Sequence, residues 1–259
     1  MYCLALAAQK TGVVVHAVVM MSNHHHMVVT DVHGVLPTFL GEFHRTACKA
    51  LNASQGQWGV LWSVGGLDRV QLMRDEDVLR KIAYVVANPV AEGLVELPSE
   101  WPGVLLWGEQ RRVVQRPDDY FDALGDSPDH LELVVTKPGV VMAEWERRLE
   151  AEVAELVAAG HRSVQASGKP FLGRAGVLAA SFVERAKSYE QRRGIVPRVA
   201  AICRDARIEA LRWYRRFEAG YRSALKAWKS GDREAVFPAG TWWMRVHHGS
   251  RVSAVVDPL

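Results

Sequence analysis

Cysteine is scarce in this chain, with three in 259 residues at Cys3, Cys48 and Cys203. They are scattered and odd in number, so they form neither a disulfide framework nor a metal-type spacing, and a reducing cytoplasm is the expected setting. No apolar run reaches about 18 residues, which excludes a membrane-spanning helix from the reading. The stretch Met1 to Ala8 is apolar, but no basic leader precedes it and Lys10 and Thr11 interrupt it, so it is not read as a signal peptide. Internal repeats are absent. At 49% hydrophobic and 24% charged residues, the composition excludes collagen-like, low-complexity and mostly disordered chains. The length suffices for one large core or two small ones.

The net charge of +3 says little, but its distribution says more. Residues 1–100 hold 7 Lys/Arg against 9 Asp/Glu, whereas residues 185–229 hold 13 basic and 4 acidic side chains, a net of +9. An acidic partner such as nucleic acid fits the C-terminal half, and a solvated helical surface fits it equally well.

The first half alternates short elements. Tyr2 to Gln9 reads as a helix stopped by Gly12. The β-branched run Val13 to Met20 reads as a buried strand, and His24 to Thr30 as a second strand antiparallel to it across the turn at Met21-Ser22-Asn23. Pro37 opens a helix to about Asn52, with Phe39, Leu40, Phe43, Ala47 and Leu51 on its apolar side. Gln55 to Gly66 reads as a loop and Leu67 to Leu72 as a strand. Asp75 is expected to cap a helix from Glu76 to about Asn88, ended by Pro89. Pro98 to Pro128 reads as a long irregular connection, with Leu131 to Thr136 as one more strand. Met142–Ala159, Leu178–Arg193 and Val199–Lys229 read as helices, the last two basic. Phe237 to Trp242 reads as a turn before a final extended segment. The expected fold class is therefore α+β: a ferredoxin-like antiparallel sheet with helices, lacking its first strand, followed by a mostly helical C-terminal region. The expected division is an α+β domain over 1–128 and a mainly helical basic region over 129–259.

Two constellations carry chemistry. In Asn23-His24-His25-His26, a strand places His24 and His26 on one face and His25 on the other. Two imidazoles about 6–7 Å apart on one strand face can converge on a metal ion; the bland alternative is a polar strand end. In the helix Asp75–Asn88, the residues Asp77, Lys81, Tyr84 and Asn88 share one side, while Val78, Ile82, Val85 and Val86 share the other. Alone, Tyr84 reads as a surface tyrosine with a helix-terminal Asn before a proline.

Together these residues resemble the REP-associated tyrosine transposases, a branch of the transposase-like HUH single-strand endonucleases. Met21-Ser22-Asn23-His24-His25-His26 is similar to that family's Met-Pro-Asn-His-hydrophobic-His motif. Tyr84 to Val90, followed by Ala91 to Val95, resembles its Tyr-x-x-x-Asn-Pro-Val-x-x-Gly-Leu-Val stretch, and Trp101-Pro102-Gly103 falls where the family has a similar turn. The likeness covers about residues 13 to 105 and is only general beyond. It implies a metal-dependent single-strand DNA endonuclease and strand transferase. Tyr84 would be the nucleophile, forming a 5′-phosphotyrosine and leaving a 3′-hydroxyl, while His24, His26 and the Asn88 amide would hold the cation. A free phenol has a pKa of about 10 and is mostly un-ionised at pH 7, and a divalent cation on the scissile phosphate can stabilise the developing charge. Ligand softness favours Mn²⁺ or Zn²⁺, whereas the resemblance implies Mg²⁺ or Mn²⁺. The implied partner is hairpin or single-stranded DNA, with a homodimer left open. Lys81, Arg212, Arg215 and Arg216 are the candidate DNA contacts. Tyr189, Trp213, Tyr214, Tyr221 and Trp228 are assigned mostly to helix packing.

Three departures stand out. His25 replaces an apolar residue, Ser22 stands where the family often has proline, and the first strand is missing. That strand would lie beside the one carrying the His pair. Three readings are open: a start upstream of Met1, a later segment such as Leu131–Thr136 in the same slot, or a decayed copy. A derivative that grips hairpin DNA without cutting it is the competing function, and a helical partner-binding protein is a third.

Overall fold

The computed structural model describes residues 1–62, 68–118, 127–139, 143–181 and 199–254. Helix α1 (Tyr2–Thr11) ends at Gly12, whose φ of 71° lets its N–H bond back to the Ala8 carbonyl at 2.8 Å. Glycine adopts that left-handed conformation without the Cβ clash other residues meet. Strands β1 (Val14–Met20) and β2 (His25–Thr30) form the expected antiparallel hairpin. Asp31 then caps helix α2 (Leu36–Ser54), its two carboxylate oxygens accepting the N–H groups of Val35 and Leu36 at 2.8 and 2.7 Å.

Strand β3 (Gln71–Leu72) is shorter than expected, and Leu67 lies outside the described residues. Helix α3 (Asp75–Ala91) carries Tyr84 and corrects two expectations. Its N-cap is Arg74, whose N–H is accepted by Asp77 at 3.0 Å, so Asp75 is already helical. Pro89 does not end the helix. A proline inside a helix costs about 3 kcal/mol, while burying each of Val85, Val86 and Val90 contributes about 1.5–3 kcal/mol and outweighs it.

The expected irregular connection after Pro98 contains strands β4 (Leu105–Trp107) and β5 (Gln110–Gln115). Strand β6 (His130–Val135) follows, antiparallel to β5. Helix α4 (Trp145–Ser167) is longer than expected, and α5 (Gly173–Ala179) occupies the start of the next expected helix, most of whose remainder lies outside the described residues. Strand β7 (Val199–Ala200) pairs in parallel with β3, so helix α6 (Arg204–Lys229) starts later than expected. The chain continues through β8 (Val236–Phe237), helix α7 (Trp243–His248) where extended chain was expected, and β9 (Arg251–Val252).

The chain is α+β, with a mixed sheet, flanking helices and a helical C-terminal region. The main sheet runs β2-β1-β6-β5, with β4 beside the second half of β1. It is not purely antiparallel as expected, because β6 lies parallel to β1 at Val15 and Val135. The segment Leu131–Thr136 thus joins the sheet beside β1 and not beside the strand carrying the histidines. β2 is the terminal strand among the described residues. The sheet also runs across residue 128, with β5 before it and β6 after it.

Helices α1 and α2 cover one face of the sheet, α3 and α4 the other. A β-bulge sets which side chains face which layer. Val15 and Ala17 pair with the adjacent residues Val29 and Val28, so His16 is the extra residue. Beyond it, Val18 and Met20 face α1 and α2, while Ala17 and Val19 face α3. The buried His16 ring is held on both sides, Nδ1 bonding the Thr136 carbonyl at 2.9 Å and Nε2 the Thr30 hydroxyl at 2.8 Å.

Candidate functional site

The strand alternation brings His26 to the α3 side of the sheet. His26 pairs with Val19 across the hairpin, and Val19 packs against α3. The His24 and His26 rings meet edge-on with centroids 5.0 Å apart. His24 Nδ1 donates to Asn23 Oδ1 at 2.6 Å, which leaves its Nε2 lone pair for another partner. Tyr84, 58 positions along the chain from His26, sits beside it. The two ring centroids lie 5.1 Å apart, and the Tyr84 hydroxyl lies 3.5 Å from His26 Nε2. Lys81 places its ammonium 4.5 Å from the centre of the Tyr84 ring. Burial, then the neighbouring His24 and Lys81, pushes the His26 pKa down to about 4. Burial also lowers that of Lys81. His26 is therefore a neutral imidazole at physiological pH, the form that ligates a cation.

Asn88 lies one helical turn beyond Tyr84. It is 1% exposed, and neither its Oδ1 nor its Nδ2 has a hydrogen-bond partner among the described residues. An unsatisfied buried amide costs about 1–3 kcal/mol, which makes the position a candidate for a further partner. Among the described residues, no three His, Cys, Asp or Glu side chains gather to hold a metal. A cation here would take two imidazoles and need the Asn88 amide oxygen as its third protein ligand. By donor type, the Nε2 of His24, the neutral His26 and the Asn88 amide match that set.

His25 points to the opposite face. Its Nε2 lies 2.7 Å from His44 Nε2, and its ring packs edge-on against Phe43 and Trp62 at 5.5 Å each. Trp62 stacks on His44 at 4.4 Å and donates its indole N–H to the His44 carbonyl. Burial first, then His44, His26 and His24, pushes the His25 pKa down to about 4. The aromatic wall around His25 was not legible in the sequence. Its only local trace is His44 next to Phe43, in the helix that follows β2.

Trp101 folds back over Gly103, where an added Cβ would stand 2.7 Å from the indole nitrogen and 3.2 Å from the Met20 carbonyl. Arg212, Arg215 and Arg216 are exposed on α6, which packs on β7 and β8. Trp213, Tyr214 and Tyr221 stack around Phe217, and Tyr221 and Trp228 meet the buried Phe237, so these aromatics pack the helix. Tyr189 lies outside the described residues. A cleft of about 290 Å³ lies elsewhere, lined by Arg74, Glu76, Asp77, Arg80 and Arg148. Tyr84 is 36% exposed. No helix among the described residues is long and apolar enough to cross a membrane. The chain matches no family model, no curated protein and no solved structure.

Proposed function

We propose that the chain is a metal-dependent single-strand DNA endonuclease and strand transferase in which Tyr84 is the nucleophile. The observation that carries the reading is the meeting of Tyr84 with His26, which in turn meets His24, with a partnerless buried amide one helical turn along from Tyr84. It agrees with the resemblance to the REP-associated tyrosine transposases. A divalent cation, Mg²⁺ or Mn²⁺, held by His24, His26 and Asn88 would polarise the scissile phosphate. The Tyr84 oxygen attacks phosphorus, the bond from phosphorus to the 3′-oxygen breaks, and the phenolic proton leaves to solvent. The product is a 5′-phosphotyrosine with a 3′-hydroxyl on the other strand end. The Lys81 ammonium beside the ring favours the negative charge that develops. The covalent ester conserves the bond, so another 3′-hydroxyl can reverse the step without ATP. Lys81 contacts the strand at the site, while Arg212, Arg215 and Arg216 supply phosphate contacts from α6. The enzyme works in the cytoplasm, on hairpin-bearing single strands.

The test is a covalent-adduct assay. End-labelled single-stranded DNA containing the hairpins that flank the gene is incubated with protein and Mn²⁺ or Mg²⁺, then run on a denaturing protein gel. A labelled band that disappears with EDTA and with Tyr84→Phe supports the reading. Hairpin binding with no adduct under any metal would replace it with a binding protein that does not cut.

A further inference from the structure

Asn23 stands in the turn between β1 and β2, which the Met21 N–H closes on the His24 carbonyl at 2.9 Å. An asparagine in a turn commonly accepts a backbone N–H two residues on. Asn23 does not. Its Oδ1 lies 2.6 Å from His24 Nδ1, and that ring is its side-chain partner among the described residues.

An amide oxygen only accepts, so the shared proton stands on Nδ1. His24 is thereby held in one of its two neutral tautomers, with the lone pair on Nε2. The bond made by one ring nitrogen decides whether the other can bind a cation, and that bond also fixes the ring's orientation. For His24 it comes from the preceding residue in the chain.

The backbone around His24 is held by other contacts. The turn closes on its carbonyl, and on its far side His25 is anchored to His44, with Phe43 and Trp62 against its ring. What is left to His24 is the rotation of its ring and the choice of tautomer. The edge-on contact with His26 at 5.0 Å restricts the first. Asn23 restricts both.

We propose that Asn23 is a positioning residue: it orients the His24 ring and keeps its proton on Nδ1, so that Nε2 is available to a divalent cation. The cation rests on the function proposed above; the tautomer does not. Asn23 acts here only through His24.

Two variants of the full-length chain test this. Asn23→Leu removes the acceptor at nearly the same size, and Asn23→Asp keeps an oxygen in its place. Asn23 is exposed and its φ is not positive, so neither change strains the backbone, and the metal-free variants should melt with the wild type. The first measurement is ¹⁵N NMR of the histidine side chains in metal-free protein at pH 8, above the ordinary histidine value of about 6.5. The His24 signals are assigned by their loss in His24→Gln. Wild type and Asn23→Asp should carry the proton on Nδ1, and Asn23→Leu should populate the Nε2–H form. The second measurement is Mn²⁺ affinity, read from the spin-resonance signal of the free ion. Asn23→Leu should weaken it about 10- to 100-fold, the loss that follows removal of such a partner. Asn23→Asp should restore it.

A wild-type His24 protonated on Nε2 overturns the inference, because the Asn23 amide N–H would then be the donor. Unchanged Mn²⁺ affinity in Asn23→Leu overturns it, and so does an Asn23→Asp chain that binds as poorly as Asn23→Leu. A wild type that binds no Mn²⁺ yet shows the Nδ1–H form, lost in Asn23→Leu, would remove the cation from the proposed function while the control of His24 by Asn23 stood.

Discussion

Tyr84 and His26 are 58 positions apart in the chain, yet their rings meet edge-on with centroids 5.1 Å apart. The contact joins α3 to the last strand of the sheet. It makes the hydroxyl of an exposed residue part of a site whose other members are half-buried or buried.

Because the Tyr84 hydroxyl lies at the surface, Tyr84→Phe should leave folding nearly untouched, within about 0.5 kcal/mol. It should abolish the covalent adduct while hairpin affinity, measured by fluorescence anisotropy, changes less than twofold. Adduct formation at the wild-type level by this variant would remove Tyr84 from the chemistry.

The proposed metal binding can be tested at Asn88 without an activity assay. A cation bound only by the folded chain raises stability by about 2.7 kcal/mol at one hundred times its dissociation constant. Mn²⁺ should therefore raise the melting temperature of the wild type, and EDTA should reverse the rise. Asn88→Ala should lose most of the shift, and so should His26→Ala. If Asn88→Ala keeps the full shift, the amide is not a ligand.

His16 sets a pH dependence of stability. Burial lowers its pKa in the folded chain, and the bond to the Thr136 carbonyl offsets this only in part. The unfolded chain then binds more protons just below the ordinary histidine value of about 6.5. Stability is complete above that pH and falls as the pH drops toward the lowered folded value. The urea midpoint should decrease from pH 7 to pH 5, and by less in His16→Gln. An identical slope in the two proteins would locate the effect in other groups.

Gly103 is fixed by contact and not by backbone conformation. A methyl there would press on the indole nitrogen and on Cε2 of the buried Trp101, at 2.7 and 3.1 Å, with the Met20 carbonyl blocking retreat at 3.2 Å. Gly103→Ala should cost about 1–3 kcal/mol in a denaturant melt. Its indole emission should also shift to the red as Trp101 is pushed toward water.

Asp77 ties the C-terminal half to the tyrosine helix. One carboxylate oxygen accepts the Arg74 N–H and the other the Ile202 N–H at 2.8 Å. Asp77→Ala leaves both donors without that acceptor and should destabilise the chain by about 1–3 kcal/mol. Hydrogen exchange at Ile202 should quicken. Unchanged protection there would mean that Asp77 does not hold β7, which is then fixed by its pairing with β3 and its packing on α6.

Much of the local structure was legible in the sequence. The stop of α1 at Gly12, the hairpin, the opposite facing of His25 and His26, and the shared helix side of Tyr84 and Asn88 follow from periods of 2 and 3.6 and from caps a few residues away. Those signals are written in neighbouring residues, so one sequence carries them. What crosses the chain was not legible. The parallel pairing of β6 with β1 joins Val15 to Val135. The bulge at His16 depends on which residues β2 presents. His25 finds His44, and Arg245 finds Gly34, through packing that no local pattern announces. Pro89 shows the same division from the other side: its local preference is to end the helix, and the burial of the valines around it carries α3 through. The sequence alone determined the residue types and the side of the element each occupies. Tertiary structure decided which sides meet, because that choice depends on the apolar area all the elements bury together.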